Sequence, residues 1–268
     1  MAERGNQMVG SIHITDIHKS FKNPDPAEPD VVALNGFHLD VKPGSFISLI
    51  GPSGCGKSTL LRLIGGLDKP DQGEIVVDDV KVTKPGSDRG FAFQGSNLFP
   101  WLTVEKNISF GLRARKIYKQ KKADVSEYIK LVGLEGFEKS YPHQLSGGMQ
   151  QRASLARALV GHPAVLLLDE PLGALDAFTR MNLQDEILDI WKKHNMTMIM
   201  VTHDVDEAIY MSDQVVVMSA RPSKVEAVLD IDLPRPRARA QDTFHVYRSR
   251  ILEILDLGGK IEPMEYNI

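Results

Sequence analysis

The sequence predicts an α/β protein built on a mostly parallel sheet, and three observations predict it. From residue 164 onward, short apolar runs alternate with amphipathic segments. That order of strand, helix and strand covers a parallel sheet on both faces. A glycine-rich run, "GPSGCGKST" at 51–59, joins an apolar stretch to a helical one. Finally, residues 103–160 carry apolar positions at three- and four-residue spacing, so a helical block interrupts the alternation.

Taken in order, "SIHITDI", "VVALNGFHLDV" and "SFISLIG" read as strands divided by turn formers such as Pro43-Gly44. "NPDPAEPD" at 23–30 cannot pair as a strand and reads as an exposed loop. Leu60, Leu61, Ile64 and Leu67 place a helix over Lys57 to Leu67. "GEIVVDDV" and "RGFAFQ" are strands, the second ending at Gln94. The helical block follows, marked by Val104, Ile108 and Leu112, then Ile129, Val132 and Leu134, then Met149, Ala153, Ala156 and Val160. Beyond it come the strand "AVLLLDEP", the helix "MNLQDEILDIWKKH", the strand "MTMIMVTH", the helix "DVDEAIYM" and the strand "QVVVMSA". The tail contains "LPRPRAR", whose Arg235, Arg237 and Arg239 read as a solvated basic turn, the alternative being contact with lipid headgroups or a membrane partner. A last helix follows, with Phe244, Tyr247, Ile251 and Ile254 on one face and Gly258-Gly259 as its cap.

Composition narrows the function. With 42% hydrophobic and 25% charged residues, the 268-residue chain is of the ordinary globular class. Lys and Arg number 32 against 35 Asp and Glu, and the net charge of −3 gives no general pull toward nucleic acid. Cys55 stands alone, which rules out an internal disulfide or a cysteine zinc cluster. "MAERGNQMVGSIHI" lacks the pattern of a secretory signal, so the expected compartment is the cytosol. No apolar stretch approaches the ~20 residues that a spanning helix needs, and any membrane connection is expected to run through a partner.

"GPSGCGKS" satisfies G-x-x-x-x-G-K-[ST] in its required context, after a strand and opening a helix. Gly51, Gly54 and Gly56 let successive N–H groups converge on an anion at the helix start, with Pro52, Ser53, Cys55 and Thr59 completing the cradle. Lys57 would reach the β- and γ-phosphates of a nucleotide, and the Ser58 hydroxyl would ligate Mg²⁺. "VLLLDEP" sets Asp169 and Glu170 at the C-terminal end of a buried strand, where parallel sheets bind ligands. Asp169 can hold the metal, and Glu170 can polarise the attacking water. Gln94 and His203 end two more strands on that edge, as candidates for the γ-phosphate, the water and, for Gln94, the metal. A second anion-binding helix start lies in "LSGGMQQR" at 145–152: Ser146 is a natural N-cap, and Gly147 and Gly148 leave backbone amides open. Separated from the glycine loop by the inserted helices, it is expected to complete the site of another copy.

These motifs, in this order, resemble the nucleotide-binding subunit of an ATP-binding-cassette transporter, from about Ile12 to Ala220. The resemblance makes LSGGMQQR the family signature, Gln94 the Q-loop residue, Asp176 of "GALD" the D-loop residue and His203 the switch histidine. It places Phe21 against adenine, the alternative being a strand residue packed in the core. It implies a P-loop NTPase fold with an antiparallel β subdomain and a helical subdomain over about 95–158, inserted in a nucleotide-binding domain of residues 1–222. Residues 223–268 would form a short C-terminal extension. Further implications are ATP and Mg²⁺ as cofactors and a head-to-tail homodimer around two ATP molecules. "GSNLFPWLTV" would accept a coupling helix of a separate permease near Phe99 and Trp101, or pack the helical block on the sheet. The LFPWLTV, DEPLGALDAFTR and SARPSKV stretches look most similar to the nitrate, sulfonate, taurine and bicarbonate uptake branch, which implies a motor on the cytoplasmic face of the membrane and, indirectly, an external solute-binding protein. A soluble cassette ATPase acting on DNA or ribosomes would carry long heptad inserts or a second cassette, and neither is present. A P-loop kinase would leave LSGG and His203 without a task.

Overall fold

The computed structural model describes residues 10–173 and 175–255. Two sheets and two blocks of helices follow from the pattern. Strands β1 (Ile12–Phe21), β2 (Val31–Val41), β4 (Gln72–Val77) and β5 (Val80–Lys81) form an antiparallel sheet in the order β2-β1-β4-β5. Strands β3 (Phe46–Ile50), β6 (Arg89–Ala92), β7 (Val165–Asp169), β8 (Thr197–Val201), β9 (Gln214–Met218) and β10 (Val225–Asp230) form the second sheet in the order β10-β9-β3-β8-β7-β6. It is parallel from β9 to β6, and β10 adds an antiparallel edge. The sequence pattern alone predicts no strand at 225–230.

Alternation along the central strands decides what lies on each side, because successive side chains point to opposite faces. Ile47, Leu49, Val165, Leu167, Ile199 and Val201 face the antiparallel sheet and pack with Ile14, Phe37 and Ile75. Phe46, Ile50, Leu166, Leu168, Met198 and Met200 face the other way, into a cluster shared with Val104, Ile108, Ala153 and Leu159 of the helical block. Both faces are covered, and β3, β7 and β8 are buried at every position. Each such aliphatic side chain contributes roughly 1.5–3 kcal/mol through burial, so the sheet is the rigid platform of the molecule.

Helix α1 (Lys57–Ile64) is shorter than its apolar spacing predicts. Gly66, at φ 70°, takes the left-handed position: its N–H bonds Leu63 O while Leu67 N–H reaches Arg62 O. This paired closure ends the helix and leaves Leu67 39% exposed. The helical block comprises α2 (Val104–Ile108), α3 (Phe110–Ala114), α4 (Lys122–Leu131) and α5 (Gly147–Leu159). Helix α6 (Ala177–His194) starts four residues before the predicted "MNLQDEILDIWKKH", because the Asp176 carboxylate accepts the Thr179 N–H and caps it. Helices α7 (Val205–Met211) and α8 (Asp242–Ile254) complete the core, α8 burying Phe244 and Ile251 while Tyr247 and Ile254 pack at its margin. The Gly258-Gly259 cap lies outside the described residues.

The basic turn departs from expectation. Arg237 is buried, and its guanidinium donates to the carbonyl oxygens of Ile209, Ser212, Ile231 and Leu233. Arg235 bonds Asp213 Oδ1 and Met211 O at 2.7 Å and lies over the Trp191 ring. Arg239 stacks on Tyr210. These arginines form no freely solvated turn: Arg235 and Arg237 clasp the chain between β10 and α8 to the end of α7, satisfying carbonyls that the helix leaves unpaired, and Arg239 bonds the Gln184 side chain.

Candidate functional site

Parallel strands of one sheet end on one edge, so four separate sequence motifs meet there. β3 runs directly into residues 51–56, whose turn delivers Lys57 to the first position of α1. The Lys57 side chain is 7% exposed and folds back, its Nζ donating to Gly51 O at 2.8 Å and Pro52 O at 3.1 Å. The amine is thus held by carbonyls at the mouth of the glycine loop, where an anionic oxygen can replace them. Cys55 is buried under the loop and is part of its support rather than its surface.

Ser58 Oγ donates to Asp169 Oδ1 at 2.8 Å. Burial raises the Asp169 pKa, the Ser58 hydrogen bond works against that, and the neighbouring Glu170 charge adds to it. This is a pair of hard oxygen donors already in contact. No group of three or more His, Cys, Asp or Glu side chains among the described residues could hold a metal by itself. Mg²⁺ fits such a set, since it commonly takes one or two protein oxygens and completes its shell with phosphate and water.

Glu170 follows Asp169 with φ 46°, an uncommon left-handed conformation for a glutamate, and its N–H bonds Val201 O. The twist turns its carboxylate away from Asp169 toward the cavity. There Oε2 accepts Gln94 Nε2 at 2.9 Å and lies 3.8 Å from His203 Nδ1. Gln94 and His203 each sit two residues beyond their strands, on the loops after β6 and β8. The expected strand ending at Gln94 stops instead at Ala92, which leaves the amide on a loop. The result is a carboxylate held by one hydrogen bond, beside an imidazole, with its other oxygen free to accept a proton.

An open cavity of about 590 Å³ joins Glu170, His203, Lys57 and Ser58 to Ser53, Gly54, Gly56 and Thr59. Phe21, at the end of β1, closes one side and is 42% exposed, so it is not the core strand residue of the alternative reading. Ala33 and Arg221 also line the cavity, and the sequence pattern assigns neither a part in it. The one signal for Arg221 is its position, three residues past the end of β9 on the same sheet edge.

Ser146, Gly147, Gly148 and Asp176 do not line this cavity. Ser146 caps α5, its Oγ accepting the Met149 N–H, and both Ser146 and Gly147 are exposed. Space beyond Gly147 is open, and Gly148 lies beside Thr179 and Leu175. The start of α5 and the start of α6 therefore share a surface, apart from the residues that line the cavity.

A third feature lies on the helical block. Phe99 stacks at 5.6 Å from Trp101 and 4.5 Å from Phe110, with Trp101 70% exposed. Asn107, fully buried, fixes this loop: its Oδ1 accepts Phe99 N–H, and its Nδ2 donates to Phe99 O and Leu102 O. The sequence gives no sign of Asn107, since a polar residue inside a short helix carries no pattern. Arg157 of α5 donates to Ser96 O and Asn97 O, and Asn97 Nδ2 donates to Gln94 O. Gln94, the aromatic loop and α5 are hydrogen-bonded into one unit.

Comparison with known proteins identifies the family. Residues 34–173 match the family described as ABC transporter. The chain is 47% identical over 252 residues to an aliphatic sulfonates import ATP-binding protein SsuB of Bacillus cereus, covering 94% of this chain and 98% of that one. It is 49% identical over 233 residues to the protein of the same name from Bacillus subtilis strain 168, covering 87% and 89%. Among solved structures it is similar to the dimeric post-hydrolysis state of the ATP-binding cassette MJ0796 bound to ADP and Pi, with a TM-score of 0.72 and 32% identity over 83% of this chain and 100% of that one. A glycine loop, a Ser58–Asp169 pair and a poised Glu170 on one sheet edge, in a chain so related, place it in the ABC transporter family as one of its ATP-binding, ATP-hydrolysing subunits.

Proposed function

We propose that two copies of this chain, facing opposite ways, clamp two ATP molecules and drive an importer of aliphatic sulfonates or a similar small anion through a separate permease. The observation that carries the reading is the division of the site: the cavity has the glycine loop, Glu170 and His203, with Asp169 bonded to the lining Ser58, whereas the exposed Ser146 and Gly147 stand elsewhere on the surface. Two copies supply each other with the missing half, and the start of α5 then meets the γ-phosphate with open amides.

In this reading residues 1–222 are the nucleotide-binding domain, with the helical subdomain over 95–158 and an extension over 223–268. Phe21 packs against adenine; residues 51–59 wrap the phosphates; Lys57 moves from Gly51 and Pro52 to the β- and γ-phosphates. Ser58 and Asp169, with Gln94, hold Mg²⁺, which neutralises charge on the phosphate oxygens when bound. Glu170 takes a proton from the attacking water; a P–O bond to the γ-phosphorus forms as the β–γ bridge breaks, and ADP leaves with the bond electrons. His203 and Gln94 keep the carboxylate aimed, and Asp176 stands at the seam between the copies. Loss of the γ-phosphate removes what joins the halves, and the pair opens.

The test is Ser146→Arg. A long cation at the start of α5 is expected to abolish MgATP-dependent dimerisation, read by light scattering, while each monomer still binds nucleotide. Dimerisation as in the native chain would overturn the divided site. Separately, Asp169→Asn is expected to weaken Mg²⁺-dependent binding about tenfold or more, because a neutral amide replaces the carboxylate beside Ser58; unchanged Mg²⁺ dependence would take Asp169 out of the metal site.

The aromatic platform fits an amphipathic helix from the permease, with Phe99 and Trp101 as anchors fixed by Asn107. Trp101→Ala is expected to lower co-purification of the permease about tenfold or more, given the roughly 2 kcal/mol typical of a central aromatic anchor. Equal recovery would place the contact elsewhere. Among the described residues no helix is long and apolar enough to cross a membrane, which suits a peripheral subunit on the cytoplasmic face. The names of the relatives support sulfonates. Loss of growth on an alkanesulfonate as sole sulphur source when the gene is deleted would establish the cargo, and loss on nitrate or taurine alone would replace it.

A further inference from the structure

Arg221 remains without a task in the reading above. It follows β9 on the sheet edge that carries the site, and it lines the cavity with Ser53, Gly54 and Lys57. Its Nη2 lies over Gly54, so close that a Cβ added to that glycine would come within 2.5 Å of it. Gly54 has φ 73°, and its lack of a side chain lets the guanidinium approach the phosphate-binding backbone. Among the described residues Arg221 has no hydrogen bond or ion pair, although the turn around it is well fastened. Ser223 N–H bonds Ala33 O, Asn35 N–H bonds Ser223 O, and Ser219 N–H bonds Lys224 O. The turn thus hangs between β9 and β2, and the backbone that carries the arginine is held while its charged end is exposed and unused.

A guanidinium fork unpaired beside backbone amides that cradle the α- and β-phosphates suits bidentate contact with phosphate oxygens. Lys57 stands on the Gly51 and Pro52 side of the loop, and Arg221 on the Gly54 side. From this geometry we infer that Arg221 contacts the α/β-phosphate region of the bound nucleotide, as a second cation opposite Lys57. This deepens the ATP-binding role and rests on it.

The test measures binding of MgADP and of the non-hydrolysable MgAMP-PNP to the full-length chain by calorimetry. Arg221→Ala is expected to weaken both about tenfold, the loss of one charge-assisted contact. Arg221→Lys should recover part of the loss, since it keeps the charge without the fork. The melting temperature of the nucleotide-free chain should not move, because the side chain bonds nothing there. Native affinity in Arg221→Ala would overturn the inference. So would a loss confined to MgAMP-PNP, which would put the cation at the γ-phosphate, or a lowered melting temperature not relieved by lysine, which would make the residue structural. Failure of the native chain to bind either nucleotide would instead overturn the nucleotide site as a whole.

Discussion

Glu170→Gln is expected to reduce phosphate release by about 10²-fold or more while ATP still binds, and to leave the chain as a stable MgATP-bound dimer. Position and volume are unchanged by the substitution. The amide oxygen can still accept the Gln94 Nε2 hydrogen bond that the carboxylate accepts at 2.9 Å. What disappears is basicity, and a positioned general base is worth about 10²–10⁴ in rate. Because the Glu170 carboxylate bonds Gln94 while Ser58 bonds Asp169, the substitution leaves the metal-side pair intact, and metal and phosphate binding should survive. Phosphate release assayed beside light scattering in MgATP checks both halves of the claim. Native turnover would remove Glu170 as the base, and turnover lost without dimer accumulation would break the link between hydrolysis and opening.

The site was legible because its parts are local. Residues 51–59 bind phosphate through backbone geometry that the glycines and the strand-to-helix context already specify. Asp169 and Glu170 stand out as adjacent acids after a fully apolar strand, and the continuous apolar run of β7 correctly implies cover on both faces. Even the separation of Ser146 from the glycine loop follows from the inserted helices.

What stayed hidden depends on contacts between distant parts of the chain. Asn107 reads as an ordinary surface residue until the loop that carries Phe99 is folded over it. β10 is an edge strand in which Leu229 alone is buried, so its apolar alternation is weak. The Asp176 cap lengthens α6 by four residues for a reason that apolar periodicity does not contain. Arginines mislead most, because charge suggests solvent while a guanidinium can saturate several carbonyls at once.

Such an arginine also carries the largest effect expected on stability. Arg237→Ala should destabilise the nucleotide-free chain by about 3–5 kcal/mol, since several backbone acceptors lose a charged donor at roughly 1–3 kcal/mol each and water can replace only some of the bonds. Burial lowers the Arg237 pKa to about 10, still well above neutrality, so the group remains a cation. Its donors satisfy Ile209 O and Ser212 O at the end of α7 and Ile231 O and Leu233 O on the following chain. Alanine would leave the Ile209, Ser212 and Ile231 carbonyls without this donor in buried surroundings. At about 2–4 °C per kcal/mol for a chain of this size, the melting temperature should fall by roughly 10 °C. Lysine should not rescue it, since one ammonium cannot span acceptors on two segments. Arg235→Ala should cost less, about 1–3 kcal/mol, because that side chain is 16% exposed and keeps only the Asp213 and Met211 bonds. Melting curves of the two variants and of Arg237→Lys decide the matter. An Arg237→Ala chain that melts with the native protein would mean that α7 is held by its apolar contacts alone, and that the arginine clasp merely rests on a core complete without it.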